Sequence, residues 1–253
     1  MITLKSPREV EIMGRAGRIV AGTLARMGEI LRPGMSTEDL DADAERFIRS
    51  HDGAVPSFKG LYGFPKTLCI SIDEEIVHGI PSAKRILEEG SIVSVDVGVQ
   101  LEGLHADSAT TLPVGQIAPV AERLLRVTQE ALQKGIEQAR PGKRVQDIGR
   151  AVQQYVEAQG FSVVRQYVGH GIGREMHEDP QVPNYVDEHQ RNPQLLPGMV
   201  LAIEPMVNVG RAATRVLKDK WTVVTADGSL SAHFEHTVAI TDGEPDILTA
   251  PRR

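Results

Sequence analysis

Residues 92–99 read Ile92-Val93-Ser94-Val95-Asp96-Val97-Gly98-Val99. Successive side chains of a β-strand point to opposite faces, so the four valines share one face of this segment. Asp96 lies on the other face, together with Ser94 and Gly98. The pattern predicts a strand that packs its valines on an aliphatic core and projects one carboxylate away from that core.

Helical segments precede this strand, and a second pair of helices follows it. Ser6-Pro7-Arg8-Glu9 has the form of a capping box with proline at the first helical position, and helical apolar spacing continues from there to the Pro33-Gly34 stop. Three further helices are predicted over 37–50, 119–139 and 145–159. Short β-type runs follow each helix pair, so the order helix, helix, strands occurs twice.

Matching residues recur at a fixed distance between these two parts. Arg32-Pro33-Gly34 returns as Arg140-Pro141-Gly142, an offset of 108, and the same offset takes Val95-Asp96 to Ile203-Glu204. His105-Ala106-Asp107 resembles His233-Phe234-Glu235 at an offset of 128, as if about 20 residues were inserted around Trp221. Chance is the alternative, because Pro-Gly pairs are common. We expect one catalytic domain, 1–253, made of pseudo-repeat halves over about 6–115 and 116–248.

The recurring acids indicate a metal site. A single acid on a strand is usually only a solvent-facing residue, but Asp96, Asp107, Glu204 and Glu235 are related by the repeat and all avoid the core face. Brought together, four carboxylates would repel one another unless cations lay between them. Carboxylates with some imidazole suit divalent Mn, Fe, Co or Zn, in sites of two ions. Neither a His-Glu-x-x-His segment nor paired cysteines are present, which argues against a one-zinc protease.

The eight histidines differ in their surroundings. His170 lies in the glycine-dense segment 168–173, where backbone can approach a ligand closely. His78 precedes Gly-Ile-Pro, and His177 follows His170 by seven residues. His51 and His189 lie in polar segments and are expected to be solvated. A lone histidine is more often structural than catalytic, and His105, His233 and His236 are placed in that class.

Composition narrows the setting of the protein. The net charge of −6 argues against a broad nucleic-acid-binding face, and no apolar run approaches the roughly 18 residues of a membrane span. Cys69 is the single cysteine, which fits a reducing compartment, and the N-terminus lacks the apolar stretch of a secretory signal. We therefore expect a cytoplasmic protein that binds neither membrane nor nucleic acid.

Taken together, these motifs resemble a known family. The matching segments are His78-Gly79-Ile80-Pro81, the pair Asp96 and Asp107, Gly169-His170-Gly171-Ile172-Gly173, His177, Ile203-Glu204-Pro205-Met206 and Phe234-Glu235-His236-Thr237. In order and spacing they are similar to the type I methionine aminopeptidases over nearly the whole chain. The resemblance implies an α+β "pita-bread" fold, in which two pseudo-symmetric halves surround a curved antiparallel sheet flanked by helices.

The resemblance also implies roles for individual residues. Asp96 would be a terminal ligand of one metal ion, His170 and Glu204 ligands of the other, and Asp107 and Glu235 the bridges between them. His78 and His177 would contact the substrate peptide. The methionine pocket would be lined by Phe58, Leu61, Phe64, Cys69 and Trp221. Three features depart from the family: Leu61, where an aromatic residue is common; Asp73, where an Asn is usual near a monovalent-cation site; and the segment after Asp107, which lacks the Arg often found just after the acid.

The implied activity is removal of the initiator methionine from nascent proteins, by a monomeric enzyme, when the next residue is small. Two divalent ions would hold a bridging water and supply hydroxide for attack on the first peptide carbonyl. Glu204 would serve as general base, and His177 would polarise the carbonyl oxygen. Substrates would be N-termini of nascent polypeptides, met at or near the ribosome. Two alternatives remain: a proline-specific aminopeptidase of the same fold, and a pita-bread binding protein without catalysis.

Overall fold

The computed structural model of the protein describes residues 1–250. Its helices are α1 (Pro7–Ile30), α2 (Thr37–Arg49), α3 (Pro119–Ile136) and α4 (Val145–Ala158), with a 3₁₀ turn over Leu61–Gly63. All four helices begin where the sequence predicts, and α3 ends at Ile136 rather than at Ala139. The predicted capping box at α1 is present, since Ser6 and Glu9 each bind the backbone N–H of the other. In this described part of the chain no helix is long and apolar enough to cross a membrane.

Fifteen short strands complete the described part of the structure, and all of their pairings are antiparallel. They are β1 (Val55–Pro56), β2 (Leu68–Ile72), β3 (Glu75–Val77), β4 (Ile92–Leu101), β5 (Leu104–Pro113), β6 (Ser162–Val163), β7 (Gly169–Gly171), β8 (Glu178–Val182), β9 (Val200–Ile203), β10 (Met206–Asn208), β11 (Thr214–Val216), β12 (Val223–Thr225), β13 (Ser231–His233), β14 (His236–Ala239) and β15 (Asp246–Ile247). In the first half β4 pairs with β1, β2 and β5. In the second half the largest sheet has the order β15-β14-β9-β7-β8. The expected α+β class with antiparallel sheets is confirmed.

The valine face of β4 forms the core of the first half. The valines at 93, 95, 97 and 99 are fully buried, and they pack against α1 and α2 through residues such as Val20 and Leu40. In the second half Leu201 and Ile203 of β9 pack in the same way against α3 and α4. Helices therefore cover one face of each sheet, and the opposite faces, which carry the acids, turn towards each other.

The junctions between helices and strands repeat at the predicted offset. Ser36 forms an isolated bridge with Ile86, and 108 residues later Arg144 does the same with Gln194. Two backbone hydrogen bonds also recur at this offset. The bond from Thr37 N to Arg85 O recurs as the bond from Val145 N to Pro193 O, and the bond from Leu87 N to Met35 O recurs as the bond from Leu195 N to Lys143 O. The recurrence supports the proposal that the chain is one catalytic domain built from two repeats, about 6–115 and 116–248.

The strands that pair with β4 and β9, namely β5 in the first half and β14 in the second, correspond at an offset of 126 rather than the predicted 128. Ser94 pairs with Thr111 in the first half. Ala202, which is 108 residues after Ser94, pairs with Thr237, which is 126 residues after Thr111. By register, Asp107 thus corresponds to His233, and Glu235 lies two residues further along. Since strand side chains alternate with a period of two, this shift keeps both acids on the predicted face.

Two threonines at equivalent positions join the halves. The hydroxyl of Thr237 donates to Asp107 O at 2.7 Å and accepts from Asp107 N at 2.9 Å. The hydroxyl of Thr111 likewise donates to His233 O and accepts from His233 N, both at 2.9 Å. Each half therefore uses one buried hydroxyl to satisfy both backbone groups of a residue in the other half.

Replacing Thr237 by Val should destabilise the protein through this contact. Valine has nearly the same shape but leaves the Asp107 N–H and C=O without partners, and each unsatisfied buried group costs about 1–3 kcal/mol. We expect the free energy of unfolding in urea to fall by about 2–4 kcal/mol. Thr237→Ser keeps the hydroxyl and should lose only about 1 kcal/mol for the methyl group. Equal losses in the two variants would contradict this account.

Candidate metal and peptide-binding site

The five predicted metal ligands come from five separate strand regions and line one cavity. Asp96 lies in the middle of β4, Asp107 in β5, His170 in β7, Glu204 directly after β9, and Glu235 between β13 and β14. The cavity has a volume of about 290 Å³ and is also lined by the predicted histidines 78 and 177. The acids of both halves thus meet where the two sheet faces oppose each other.

The two acids of the second half lie at a break in their strands. β9 ends before Glu204-Pro205 and β10 begins after it, whereas β4 is continuous over ten residues. Proline has no N–H to give to a strand ladder, which suits it to such a break. The Glu204 carbonyl instead accepts from Asn184 Nδ2 at 2.9 Å, and Glu235 N donates to Ala109 O at 2.9 Å. Both acids are therefore held by their backbones.

Ligand atoms converge within this cavity. Potential ligand atoms of Asp107, His170 and Glu235 all lie within 4.8 Å of one another, and His170 Nε2 is 3.6 Å from Glu204 Oε1. Three buried oxygens, namely Asp96 Oδ1, Asp107 Oδ1 and Glu235 Oε1, have no hydrogen-bond partner among residues 1–250. Buried carboxylate oxygens are normally paired or bound to metal, since burial without compensation is costly. The donor set fits divalent cations.

Burial sets the proton affinity of these groups. It raises the pKa of Asp107 to about 7. It also raises the pKa values of Asp96, Glu204 and Glu235 well above their ordinary range, and the neighbouring carboxylates add to the effect at these three. Burial also lowers the pKa of His170 to about 3, so its imidazole is neutral. Neutral imidazole is the ligand form of histidine, and a cation would replace the protons on the acids.

The orientation of His170 fixes which ring nitrogen is available. Its Nδ1 is 2.8 Å from Gly171 O, and a carbonyl can only accept, so Nδ1 carries the proton. In the neutral ring Nε2 then presents a lone pair to the cavity and to Glu204 Oε1. Without metal, a proton on Glu204 can satisfy this contact, and a bound cation would replace that proton. A ligating histidine commonly donates its other N–H to a carbonyl in this way.

Glycines beside His170 let the neighbouring strands approach β7 closely. A Cβ at Gly171 would lie 2.2 Å from Asp179 O, and one at Gly169 would lie 2.3 Å from Ala202 O. Asp179 belongs to β8 and Ala202 to β9, the two strands that flank β7. The sequence-based explanation, close approach of backbone to a ligand, stays a prediction. The glycines let β7 fit between β8 and β9, which places the imidazole in the cavity.

His78 and His177 enter the same cavity from two loops. His78 has a left-handed backbone conformation (φ 61°), which is unusual for a residue with a side chain and costs on the order of 1 kcal/mol or more. The next residue must be glycine, because a Cβ at Gly79 would lie 2.0 Å from Ile70 O. The His177 ring lies 4.5 Å from the His170 ring, measured between centroids. Burial lowers the pKa of His78 to about 4 and lowers the pKa of His177 as well, so both rings are neutral.

An apolar pocket adjoins the ligand cluster. It contains all five residues of the predicted methionine pocket, Phe58, Leu61, Phe64, Cys69 and Trp221. The rings of Phe64 and Trp221 meet edge to face at 5.1 Å, and Phe58, Phe64 and Cys69 are buried. Burial and the nearby Asp96 carboxylate raise the pKa of the Cys69 thiol. The thiol is therefore protonated and acts as an apolar, polarisable wall.

Several cavity residues were missed from the sequence. His233, assigned there to the structural class, is buried and lines the cavity, with Nε2 3.5 Å from Glu204 Oε2. Tyr62 is exposed and stacks on His177, with centroids 5.8 Å apart. Tyr167, Val77, Val168 and Met206 also line the site. Only the strand register in the structure, which makes His233 the counterpart of Asp107, reveals its position.

The remaining histidines do not line this cavity. His105 contacts Ser57 Oγ at 2.8 Å, and His236 contacts Thr249 Oγ1 at 2.9 Å, which agrees with structural roles. His189 is exposed, as expected. His51 is half-buried against Phe47, with Nδ1 2.9 Å from Phe47 O, so the expectation that it is simply solvated was wrong.

Asp73 is another position that departs from the family pattern, and its carboxylate accepts hydrogen bonds from the protein itself. Its carboxylate accepts from Ser91 Oγ and Ile92 N, both at 2.9 Å. These bonds anchor the start of β4.

Known proteins share both this sequence and this architecture. Residues 11–242 match the model of metallopeptidase family M24. Methionine aminopeptidase 1 of Bacillus subtilis is 54% identical over 249 residues, covering 98% of this chain and 99% of the relative. The crystal structure of methionine aminopeptidase from Rickettsia prowazekii superposes with a TM-score of 0.95 at 41% identity, covering 99% of this chain and 100% of that chain.

The chain belongs to metallopeptidase family M24, among the methionine aminopeptidases.

A more distant similarity shows the fold alone. Prolidase from Pyrococcus horikoshii superposes with a TM-score of 0.79 at 24% identity, and the match covers 99% of this chain but 64% of that one. With the methionine aminopeptidase structures, it confirms the expected pita-bread fold. Membership of the M24 metallopeptidases implies divalent metal binding, and the unpaired carboxylate oxygens described above fit that implication.

Metal binding by this M24 chain should depend on pH in a defined direction. In the unfolded chain these acids have pKa values near 4, and in the native protein their pKa values are higher. At pH values between the two, the metal-free native state therefore binds more protons than the unfolded state does. The stability contribution of the acids therefore falls as pH rises from about 4 through the pKa of Asp107, about 7. Since metal ions replace these protons, we expect Mn²⁺ to raise the melting temperature more at pH about 8 than at pH about 5.5.

Thermal melts of chelator-treated protein, with and without Mn²⁺, measure this difference. Asp107→Asn is the matched control, because it removes one charge without changing shape. Without metal at pH about 8 it should melt no lower than the wild type, and its metal-induced shift should be smaller. Equal Mn²⁺ shifts at the two pH values in the wild type would contradict the account.

Proposed function

We propose that the protein removes the initiator methionine from the N-termini of polypeptides when the second residue is small. The observation that carries this proposal is the position of the apolar pocket, directly beside five side chains of metal-ligand type in one cavity. The pocket walls are aromatic rings, an aliphatic chain and a thiol, which suit an unbranched thioether side chain. The identity of the relatives supports the same activity.

The proposed metal site holds two divalent ions, drawn from Fe, Co, Mn or Zn. Asp96 would bind one ion, His170 and Glu204 the other, and Asp107 and Glu235 would lie between the two. The convergence of Asp107, His170 and Glu235 ligand atoms supports this assignment. When bound, such ions lower the pKa of water and polarise a peptide carbonyl.

The side chains of the chain supply binding, orientation and proton transfer. The free N-terminal amine of the peptide, in its neutral form, would lie near the ion that Asp96 would hold. Glu204 accepts a proton as water oxygen adds to the first carbonyl carbon. It then gives this proton to the nitrogen of the departing peptide as the C–N bond breaks. Free methionine and a peptide shortened by one residue are the products.

His78 and His177 act on the peptide backbone in this proposal. Both rings are neutral, so each carries one N–H that can donate to a peptide carbonyl. His177 is placed to polarise the carbonyl under attack, and such a donor can contribute several kcal/mol of transition-state stabilisation. Stacking of Tyr62 on His177 restricts that ring at the cavity entrance.

We further propose that the substrates are nascent polypeptides in the cytoplasm, met at or near the ribosome by a monomeric enzyme. The single cysteine fits a reducing compartment. The net charge of −6 gives no general affinity for nucleic acid.

One assay tests the activity directly. The chelator-treated protein should be inactive, and Mn²⁺, Co²⁺ or Fe²⁺ should restore release of methionine from Met-Ala-Ser but leave Ala-Pro-Ala intact. Free amino acids measured by chromatography give the rates for both peptides. Cleavage of the proline peptide instead would indicate a proline-specific aminopeptidase. Metal binding without turnover of either peptide would indicate a non-catalytic binding protein.

The roles of Asp107 and Glu235 are tested by removing each carboxylate. Asp107→Ala and Glu235→Ala should each bind fewer metal ions and lose at least about 100-fold in kcat, as expected for loss of metal-ion catalysis. Metal content by elemental analysis and kcat on Met-Ala-Ser are the measurements. Asp242→Ala, at an exposed acid, is the control and should keep both values. Near-normal rates in either cavity variant would make the assignment wrong.

A further inference from the structure

His233 has a buried nitrogen that the proposed reaction does not use. The residue is 2% exposed, and its Nε2 has no hydrogen-bond partner in the described part of the chain. The nearest charged group is Glu204, whose Oε2 lies 3.5 Å from Nε2. Burying a polar atom without a hydrogen-bond partner costs free energy, so the orientation of the His233 ring needs an explanation.

The fold aims this side chain at the cavity. The His233 N–H and C=O are both bound by the Thr111 hydroxyl, as those of Asp107 are bound by Thr237. His233 is therefore the counterpart of Asp107 in the second half, and Glu204 is the counterpart of Asp96. Each half places this pair of side chains within reach of one another.

Glu204 lies between two imidazoles that offer different groups. Its Oε1 is 3.6 Å from His170 Nε2, which presents a lone pair because Nδ1 donates to Gly171 O. Its Oε2 faces His233 Nε2. If His233 Nε2 also presented a lone pair, two hydrogen-bond acceptors, Nε2 and Oε2, would face each other with no proton between them. With a proton on Nε2, it becomes the donor that Oε2 lacks.

We propose that His233 is a positioning residue, whose Nε2–H donates to Glu204 Oε2 and leaves Oε1 free to bind the metal beside His170. This inference rests on the proposed metal site. In this role His233 acts through Glu204, and it lies outside the converging set of Asp107, His170 and Glu235. Partners of this kind orient a ligand carboxylate, and their loss typically costs 10–100-fold in metal affinity.

Two substitutions separate the hydrogen bond from the shape of the side chain. His233→Leu fills the site without a donor, whereas His233→Gln keeps an amide N–H. Titration calorimetry of the chelator-treated proteins with Mn²⁺ should show two binding steps in the wild type. In His233→Leu one step should weaken by about 10–100-fold, and in His233→Gln it should stay within about fivefold. Melting temperatures without metal report any loss of folding, and His233→Met serves if His233→Leu is insoluble.

The outcomes distinguish this inference from the proposed function. Wild-type protein that binds no metal would contradict the proposed function itself. Wild-type protein that binds two ions, with equal affinity in His233→Leu, would overturn only the role of His233. Equal weakening in the Leu and Gln variants would also overturn it, because the donor would then not be the cause. Visible spectra of the Co²⁺ forms should match between wild type and His233→Gln, and loss of a nitrogen ligand from the spectrum would mean direct ligation instead.

Discussion

Repulsion among the buried carboxylates is the constraint on which this structure depends. Asp96, Asp107, Glu204 and Glu235 face one cavity, and three of their oxygens have no partner in the described residues. Without cations the acids hold protons, because burial raises their pKa values and repulsion from neighbouring carboxylates raises those of Asp96, Glu204 and Glu235 further. Only a rigid scaffold can hold such a cluster together. The buried valine face of β4 and the threonine contacts between the halves provide that rigidity.

Pseudo-symmetry explains why the site lies between the halves. Each half covers one sheet face with its own two helices, so only the other face remains to meet its counterpart. Residues at equivalent registers then converge in pairs, Asp96 with Asp107 and Glu204 with His233. The symmetry is not complete, since Glu235 corresponds by register to Ala109. The second half thus contributes three of the proposed ligands and the first half two, and the additional one is His170 on β7.

Much of this arrangement follows from the sequence, and the limits have physical causes. Alternation of valines with Asp96 fixes a strand and its faces, because a period of two has one structural meaning when one face is buried. The sequence comparison gave an offset of 128 where the structure has 126. Because the two offsets differ by two residues, both place the acids on the same strand face, and the alternation of side chains could not reveal the error. His233 was misplaced because a single histidine gives no local signal of its surroundings. Its position depends on Thr111, which is 122 residues away in the chain.

Pairing between β2 and β4 connects the chemistry to the choice of substrate. Cys69 is the cross-strand partner of Asp96, so the two side chains project from the same face with their Cβ atoms about 5 Å apart. One residue is therefore a wall of the proposed methionine pocket and the other a proposed neighbour of the peptide amine. Under the proposed function, a methionine side chain in this pocket would place its α-amine near Asp96 and the ion that Asp96 would hold. This spacing would let one pocket select the side chain and also limit cleavage to the first residue.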